Sequence, residues 1–484
     1  MVFTILYYHY HREGNEIWKG ELEIEKTMEK QDAFYKTVIK IALPVTLQSL
    51  LQSSFSVIDQ LMIGKLGSTS IAGVGLGGKF ASIYSVLLGA VAAVAGIMIS
   101  QYIGKKDDKE VSRSFFANIM LAIGLAALFM GMCLMVPNGI MGLYTKDEAT
   151  RQIAANYLWI LAFSYLPMAV SSIVATFLRC MEAAVFPLYA TIVGAVINTG
   201  LNYFLIFGKA GFPELGVEGA AIATVVSQFA SCLITLGFFI WHYRKQDMKL
   251  TFLWHFRGER RVQFLGILCP IIVCEFLWSL GENVYTAIYG NMGTDPCAAM
   301  TLTIPIQTLL IGALSGLAQA AGILIGKSLG GEEYDKAYEE SKKLMKYGVL
   351  GSLCLSVLLL LLGQYYVQIY DVSKEVRGVA YEILVAFAII SPVKVQNMIL
   401  GGGIIRSGGK TKYVMCIDFI GTWLFGVPLG LLAAFVWNLP IPYVYFILSL
   451  EECVRLMISL ILFRRKSWMR SLGEWEQGEE CVGG

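Results

Sequence analysis

Residues 71–101 read IAGVGLGGKFASIYSVLLGAVAAVAGIMISQ, a run in which Lys79 is the only charged side chain. A helix needs roughly 20 mainly apolar residues to cross the hydrocarbon core of a bilayer, and this stretch exceeds that length. Similar stretches recur at about 38–63, 114–136, 152–178, 186–207, 218–242, 263–291, 298–326, 345–370, 378–402, 412–436 and 441–463. In the whole chain of 484 residues 56% are hydrophobic and 15% charged, where soluble domains carry roughly 25% charged. Lipid is therefore the solvent of most of the chain, and the expected fold class is an all-α polytopic membrane protein with twelve transmembrane helices. The spans leave no room for a soluble catalytic or nucleotide-binding domain. No complete phosphate-cradling glycine loop occurs, so ATP is not the expected energy source.

Loops after even-numbered spans and the carboxy-terminal tail hold 23 Lys and Arg, with Arg179 and Arg406 counted among them; loops after odd-numbered spans hold 6. The positive-inside rule then places both termini in the cytoplasm, and an even number of spans agrees. The expected location is the cell membrane. Ten cysteines lie mostly in apolar segments with no Cys-x-x-Cys pair, which points to packing rather than to a disulfide framework or a metal site. His9, His11, His242 and His255 fall outside the spans, which argues against an intramembrane histidine relay or diiron-type cluster. Residues 1–36 read as a cytoplasmic extension, partly helical. Its aromatic run from Phe3 to Tyr10 gives way to charged residues from Arg12 onward and is too interrupted for a signal peptide. Met28 serves equally well as a start.

Shifting the chain by 226 residues superposes Pro44 on Pro270, Gly64 on Gly290, Gly67 on Gly293, Ala72 on Ala298, Gly104 on Gly330, Tyr144 on Tyr370 and Arg151 on Arg377. One constant offset with matched prolines and glycines marks two copies of a six-helix unit. An even number of spans per copy makes the repeats parallel, related by an axis along the membrane normal. The expected layout is an N-lobe over 37–243, a basic connecting loop over 244–261, a C-lobe over 262–463 and a tail over 464–484. Two such lobes around a central cavity favour a transporter, because rocking them gives alternating access.

An ionisable group at bilayer depth costs at least about 2.5–3.5 kcal/mol, so it faces protein or water and often has a function. Those at such depth are Asp59, Lys79, Glu275, Glu282, Lys394, Asp418, Glu451, Glu452 and Arg455, most of them in the second half. Glu275 is near the middle of span 7, with Glu282 two turns on along the same face. A carboxylate in a low-dielectric cavity can bind and release a proton, or hold sodium, near neutral pH. The alternative for Glu275 is a structural acceptor, or a partner for Lys394. Asp59 reads equally as a buried anchor or a proton site, and Asp418, near the cytoplasmic end of span 11, as a capping, gating or coupling group. Glu451, Glu452 and Arg455 have the spacing of an ion pair within one helix. Gln48, Gln52, Asn198, Asn202 and Gln307 either line the cavity or bond helix to helix. Trp278, Tyr285 and Met398 would suit an apolar pocket that repacks around different ligands.

Several of these motifs resemble the multidrug and toxic compound extrusion (MATE) transporters. The resemblance rests on Leu43-Pro44 with Asp59 and Gly64-Lys65-Leu66-Gly67, on Gln101-Tyr102-Ile103-Gly104-Lys105-Lys106-Asp107, on Glu275 to Gly281, Tyr289 to Gly293 and Ile405 to Thr411, and on Asp418, Pro428-Leu429 and Glu451-Glu452. It covers about residues 36–472. It implies a twelve-helix antiporter that exports cationic amphiphiles against protons or sodium, with Asp59 and Glu275 at carboxylate positions of the family. One position departs: some members carry an aspartate in span 5 where this chain has Asn202, and an amide does not titrate.

The expected function is thus secondary antiport of small amphiphilic, cationic organic compounds in exchange for H+ or Na+. Glu275, Asp59, Glu282 and Asp418 are the coupling candidates. Gln48, Gln52, Asn198, Asn202, Trp278, Tyr285, Gln307, Lys394 and Met398 are the cavity candidates. The alternative is a lipid-linked oligosaccharide flippase of the same superfamily, which would have a basic cavity. An intramembrane enzyme would need a catalytic set at matched depth that the chain lacks. No cofactor, metal or nucleic acid is expected; the partners are a small-molecule substrate and membrane lipid, and the protein is expected to act as a monomer.

Overall fold

The computed structural model describes residues 2–245, 250–253, 258–370 and 372–473, with backbone alone for 2–32, Ser68 and Glu259. The helices are α1 (Val2–Gly64), α2 (Ser68–Lys105), α3 (Asp108–Met135), α4 (Glu148–Cys180), α5 (Val185–Phe207), α6 (Gly216–Tyr243), α7 (Glu259–Asn291), α8 (Thr294–Gly330), α9 (Tyr334–Gln368), α10 (Lys374–Ile405) and α11 (Thr411–Val436). Among the described residues these eleven contain runs long and apolar enough to cross a membrane. The twelfth span, expected to be continuous, is broken. α12 runs as Ile441–Ser449 and Glu451–Arg464, hinged at Leu450. The break puts Glu451 and Glu452 in the first turn of a new helix, where free N–H groups and the helix dipole favour negative charge. The extension before the first span is helical and continuous with it. Much of the expected connecting loop 244–261 lies outside the described residues.

Local chemistry sets the helix ends. Asp107 accepts a bond from the Glu110 amide at 3.1 Å, Asp147 from the Thr150 amide at 2.9 Å and Ser373 from the Val376 amide at 3.2 Å, capping α3, α4 and α10. Gly67 and Gly293, equivalent under the 226-residue offset, precede α2 and α8 with φ of 94° and 124°. Both hairpins turn through a backbone state that glycine alone adopts easily. His242, expected outside the spans, sits in the last turn of α6 with its ring 5.5 Å from that of Phe186.

The two halves meet where α2 crosses α8. A side chain at Gly104 would run into the backbone of Lys327, and one at Gly330 into the backbone of Gln101. Positions 101 and 327 are themselves repeat equivalents, so the contact is reciprocal across the repeat axis. Small residues let helix backbones approach closely in lipid, where association depends on packing rather than on hydrophobic burial. Outside the bundle Leu128, Val196, Leu233 and Leu361 are exposed, as a lipid-facing surface requires.

The end of the bundle carrying the basic loops, the basic face, is closed. Lys327 Nζ lies 2.7 Å from Glu182 Oε1. Gln101 Nε2 donates to the Ser407 carbonyl at 2.6 Å, and the Leu472 amide donates to Gln101 Oε1 at 2.8 Å. Gln263 Nε2 donates to the Leu472 carbonyl at 2.9 Å, and Lys410 Nζ to the Ser467 carbonyl at 2.6 Å. The segment after α12, expected to be a cytoplasmic tail, is wedged between the halves over its described residues, with Trp468, Ser471 and Leu472 buried. Toward the opposite face α1 and α8 stay in contact through Thr46, which donates to the Ala313 carbonyl at 3.1 Å, and through Ser49 beside Gly312. Beyond these contacts Asp59 in the first half and Glu282 in the second line separate cavities.

Candidate functional site: two polar cavities and the space between them

In the first half a cavity of about 460 Å³ is lined by residues of α1, α2, α4, α5 and α6, including Gln48, Gln52, Asp59, Arg179 and Asn198. Asp59 is held by amides. Asn202 Nδ2 donates to its Oδ1 at 2.8 Å, and Asn198, with its amide nitrogen turned to the carboxylate, reaches both oxygens at 3.0 Å. No basic side chain pairs with Asp59 among the described residues. Asn202 is buried behind Asp59 rather than lining the cavity as expected. It lies one turn of α5 beyond Asn198, on the same face, and its side chain is taken up by the bond to the carboxylate.

The second half is a network of ions. Glu275 Oε1 lies 3.3 Å from both terminal nitrogens of Arg406, so its partner is Arg406 and not Lys394. Lys394 Nζ is 3.9 Å from Glu452 instead, and Glu452 also accepts from Asn397 at 2.8 Å. Arg455 bridges two carboxylates, Glu451 at 3.3 Å and Asp418 at 3.6 Å, and donates to Thr422. Tyr285 donates to Glu451 at 2.5 Å, and the Cys274 thiol lies 2.8 Å from the second oxygen of Asp418. The expected pairing within α12 is present, but it extends into α7, α10 and α11. Asp418 is tied to Arg455 in this conformation.

Two cavities open on this network. One of about 270 Å³ is lined by Glu275, Trp278, Lys394, Met398, Arg406 and Asp418. The other, of about 500 Å³, is lined by Trp278, Glu282, Tyr285, Gln307, Lys394 and Glu451 among others. Gln307 receives a bond from Tyr445 at 3.0 Å and gives one to Thr303 at 2.9 Å, so it is both wall and helix-to-helix bond. The side chain of Glu282 makes no hydrogen bond or ion pair among the described residues and faces the cavity. Apart from Asn202, every residue expected at the site borders one of these spaces. The wall near Met398 and Gly401 is a π-helical stretch, Met398–Ile405, and α11 holds two more, Ile420–Gly426 and Leu432–Val436. Such widened turns leave carbonyls and side chains out of register and gather at functional sites.

Two residues that border the cavities were missed by sequence reasoning. Arg179 and Arg406 end spans 4 and 10 and were assigned to basic loops, yet both point into the protein. Arg179 donates to Gln48 at 3.0 Å and Arg406 pairs with Glu275. Their positions one residue off the repeat offset, at the same point in each half, were the signal available.

A fourth cavity, of about 480 Å³, lies between the halves. It is lined from α2, α4, α8 and α10 and bordered by both arginines.

The MatE family profile matches residues 44–204 and 270–432, one block in each half. The uncharacterized transporter YisQ of Bacillus subtilis is 23% identical over 456 residues, covering 92% of this chain and 97% of its own. A probable multidrug resistance protein NorM of Bacillus cereus is 26% identical over 404 residues, covering 81% and 86%. A crystal structure of MATE in complex with MaL6 superposes with a TM-score of 0.81 at 17% identity, covering 90% of this chain and 96% of that one. A MOP superfamily transporter from Pyrococcus furiosus gives 0.79 with the same identity and coverage. At such identities the structural matches establish the fold. The family rests on the profile, which spans more than half of the chain: this multi-pass membrane protein belongs to the MatE family, whose members are transporters and not enzymes.

Proposed function

We propose that the protein is a secondary antiporter of the cell membrane that exports small amphiphilic compounds in exchange for H+ or Na+, with its basic face and both termini in the cytoplasm. The observation that carries this reading is Asp59, a carboxylate on a cavity wall with amide partners and no cation to neutralise it. The two oxygens of Asp59 are hard donors suited to Na+, which would have to displace the amide N–H groups of Asn198 and Asn202, and Asp59 alone suffices for a proton. Glu275 is the second coupling carboxylate in this proposal, with Arg406 as the group it must release before taking a cation. The NorM relatives, named as probable multidrug resistance proteins, support an organic substrate. In the conformation described the basic face is shut, so exchange requires the Glu182–Lys327 pair and the Gln101 bonds to break and reform.

The test is export of a fluorescent amphiphilic cation such as ethidium from vesicles with sodium and proton gradients imposed separately. One gradient is expected to drive export by the wild type. Asp59→Asn is expected to abolish that dependence while dye binding persists. Export by Asp59→Asn at the wild-type rate with the same ion dependence would remove Asp59 from the mechanism. Orientation is checked by cysteines: one at Gly211 should react with an impermeant reagent outside intact cells, and one at Gly331 should not.

A further inference from the structure

Arg179 stands apart from the other cations that border the cavities. Arg406 has Glu275, Arg455 has Asp418 and Glu451, and Lys394 has Glu452. Arg179 has the neutral Gln48 side chain at 3.0 Å, and Gln48 is held in turn by donating to Thr191 at 2.9 Å. Its Nε is buried without an acceptor. No carboxylate pairs with it among the described residues. A guanidinium stays charged at any physiological pH, and withdrawing one from water without an anion is costly. The fold nevertheless places it where the cavity of the first half joins the space between the halves, since Gly89, Ser172 and Arg179 border both.

The space between the halves has the matching chemistry. Its polar wall includes Arg179, Arg406 and Gln319 together with serine and threonine hydroxyls, with no aspartate or glutamate on it. Asp59 is far away: it lies eleven positions along α1 from Gln48, about 16 Å at 1.5 Å per residue. The carboxylates line the two lobes, Glu275 among them as the partner of Arg406, and Arg179 is left as the cation on the floor of the central space that no carboxylate neutralises among the described residues.

We propose that this floor binds the acidic group of the substrate, a carboxylate or sulfonate on an amphiphilic molecule, with Arg179 as its principal ligand. The planar guanidinium offers two parallel N–H bonds to such a group, and Arg406 supplies a second donor beside it. The substrates this site would select are those that carry an acidic group, and its new element is the residue that recognises that group. This inference rests on the export reading above and deepens it.

The experiment uses a rhodamine dye with a free carboxylate and the methyl ester of the same dye, which differ only in the acidic group. Binding to the purified protein is read by fluorescence polarisation, and export from vesicles under the driving gradient. Wild type should bind the acid at least about tenfold more tightly than the ester, the size of a charge-assisted hydrogen bond. Arg179→Gln should erase that preference by weakening the acid and leaving the ester nearly unchanged, and bound ester reports that the variant is folded. Gln48→Glu keeps the arginine but supplies an internal carboxylate, and should weaken the acid in the same way. Equal binding of the two dyes by wild type, or equal losses for both dyes in Arg179→Gln, would overturn the proposal. The two readings fail separately. Ester exported without acid preference sinks this site alone, whereas an acid preference lost in Arg179→Gln but no ion-driven export of either dye sinks the antiport reading and leaves the site standing.

Discussion

Lys327 and Glu182 meet across the two halves, Nζ to Oε1 at 2.7 Å, where the basic face is shut. Both side chains are partly exposed, so the pair itself is worth about 1 kcal/mol or less. Its importance is positional. The backbone of Lys327 also fills the space beside Gly104, so one residue of α8 closes the face with main chain and side chain together. The repeat-equivalent residue, Gln101, does the same from the other half with its backbone beside Gly330 and its side chain on Ser407 and Leu472.

Gly330→Ala is therefore expected to favour opening of the basic face. The added methyl occupies the place of the Gln101 backbone, which moves only if α2 and α8 separate. A cysteine at Gln319, on the floor of the central space, should be labelled several-fold faster by an impermeant maleimide applied from the basic face. Gly89→Ala is the control, since a side chain there meets nothing within 4 Å. Equal labelling in the two variants would show that the α2–α8 crossing does not govern access.

Trp468 is fully buried, stacked on Phe463 with 5.7 Å between ring centroids and planes 12° apart. Trp468→Ala removes the anchor of the segment wedged between the halves, and a buried Trp→Ala typically costs about 3–5 kcal/mol. The loss should be local, because the segment follows α12 and can detach without unfolding it. Limited proteolysis is expected to cut between Lys466 and Arg470 in the variant and not in the wild type, while the thermal transition of the bundle moves little. A large fall in that transition with no new cleavage would mean that the segment is part of the core.

How much of this was legible in the sequence follows from which forces act at short range. Span positions came through because length and apolarity are local properties, and the 226-residue offset carried the two-half layout because Gly67 and Gly293 must turn the chain at matching places. Arg179 and Arg406 were misplaced since a basic residue at a helix end looks the same whether it faces water or a cavity; only the approach of Gln48 and Glu275 from other helices decides. The bond from Asn202 to Asp59 likewise joins residues 143 apart in sequence. The break at Leu450 carries no proline or glycine to announce it, and the partners that Glu451 and Glu452 find there, Tyr285, Arg455 and Asn397, are distant in sequence or hidden by the helix pattern.

Arg455 holds Asp418 and Glu451 inside the bundle, and removing one member of a buried ion group leaves the others uncompensated. Arg455→Met should destabilise the protein by about 3–5 kcal/mol, seen as a clear fall in melting temperature in detergent. Adding Asp418→Asn and Glu451→Gln neutralises the stranded carboxylates and should recover most of that loss. If the triple variant melts like the wild type and still exports under the ion gradient, Asp418 belongs to the scaffold and leaves the coupling set. No recovery in the triple variant would mean that Arg455 acts mainly through other bonds, such as the one it donates to Thr422.

Glu275 and Arg406 pose the coupling question most directly, because a salt bridge and an exchange site predict different results for the same substitutions. Glu275→Gln preserves shape and removes the charge change, but it also leaves Arg406 without its carboxylate, so loss of function in that variant alone is ambiguous. Arg406→Gln and the double variant resolve it. If the pair is only structural, each single variant should lower stability and the double variant should regain both stability and ion-driven export. If Glu275 exchanges the driving cation for substrate, Glu275→Gln and the double variant should both lose the dependence of export on the gradient, whereas whatever export Arg406→Gln retains should still follow it. The readout is the ratio of export with and without the imposed gradient, which a general fall in protein quality does not move. A double variant whose export responds to the gradient as the wild type does would remove Glu275 from coupling and leave Asp59 as the site that takes the ion.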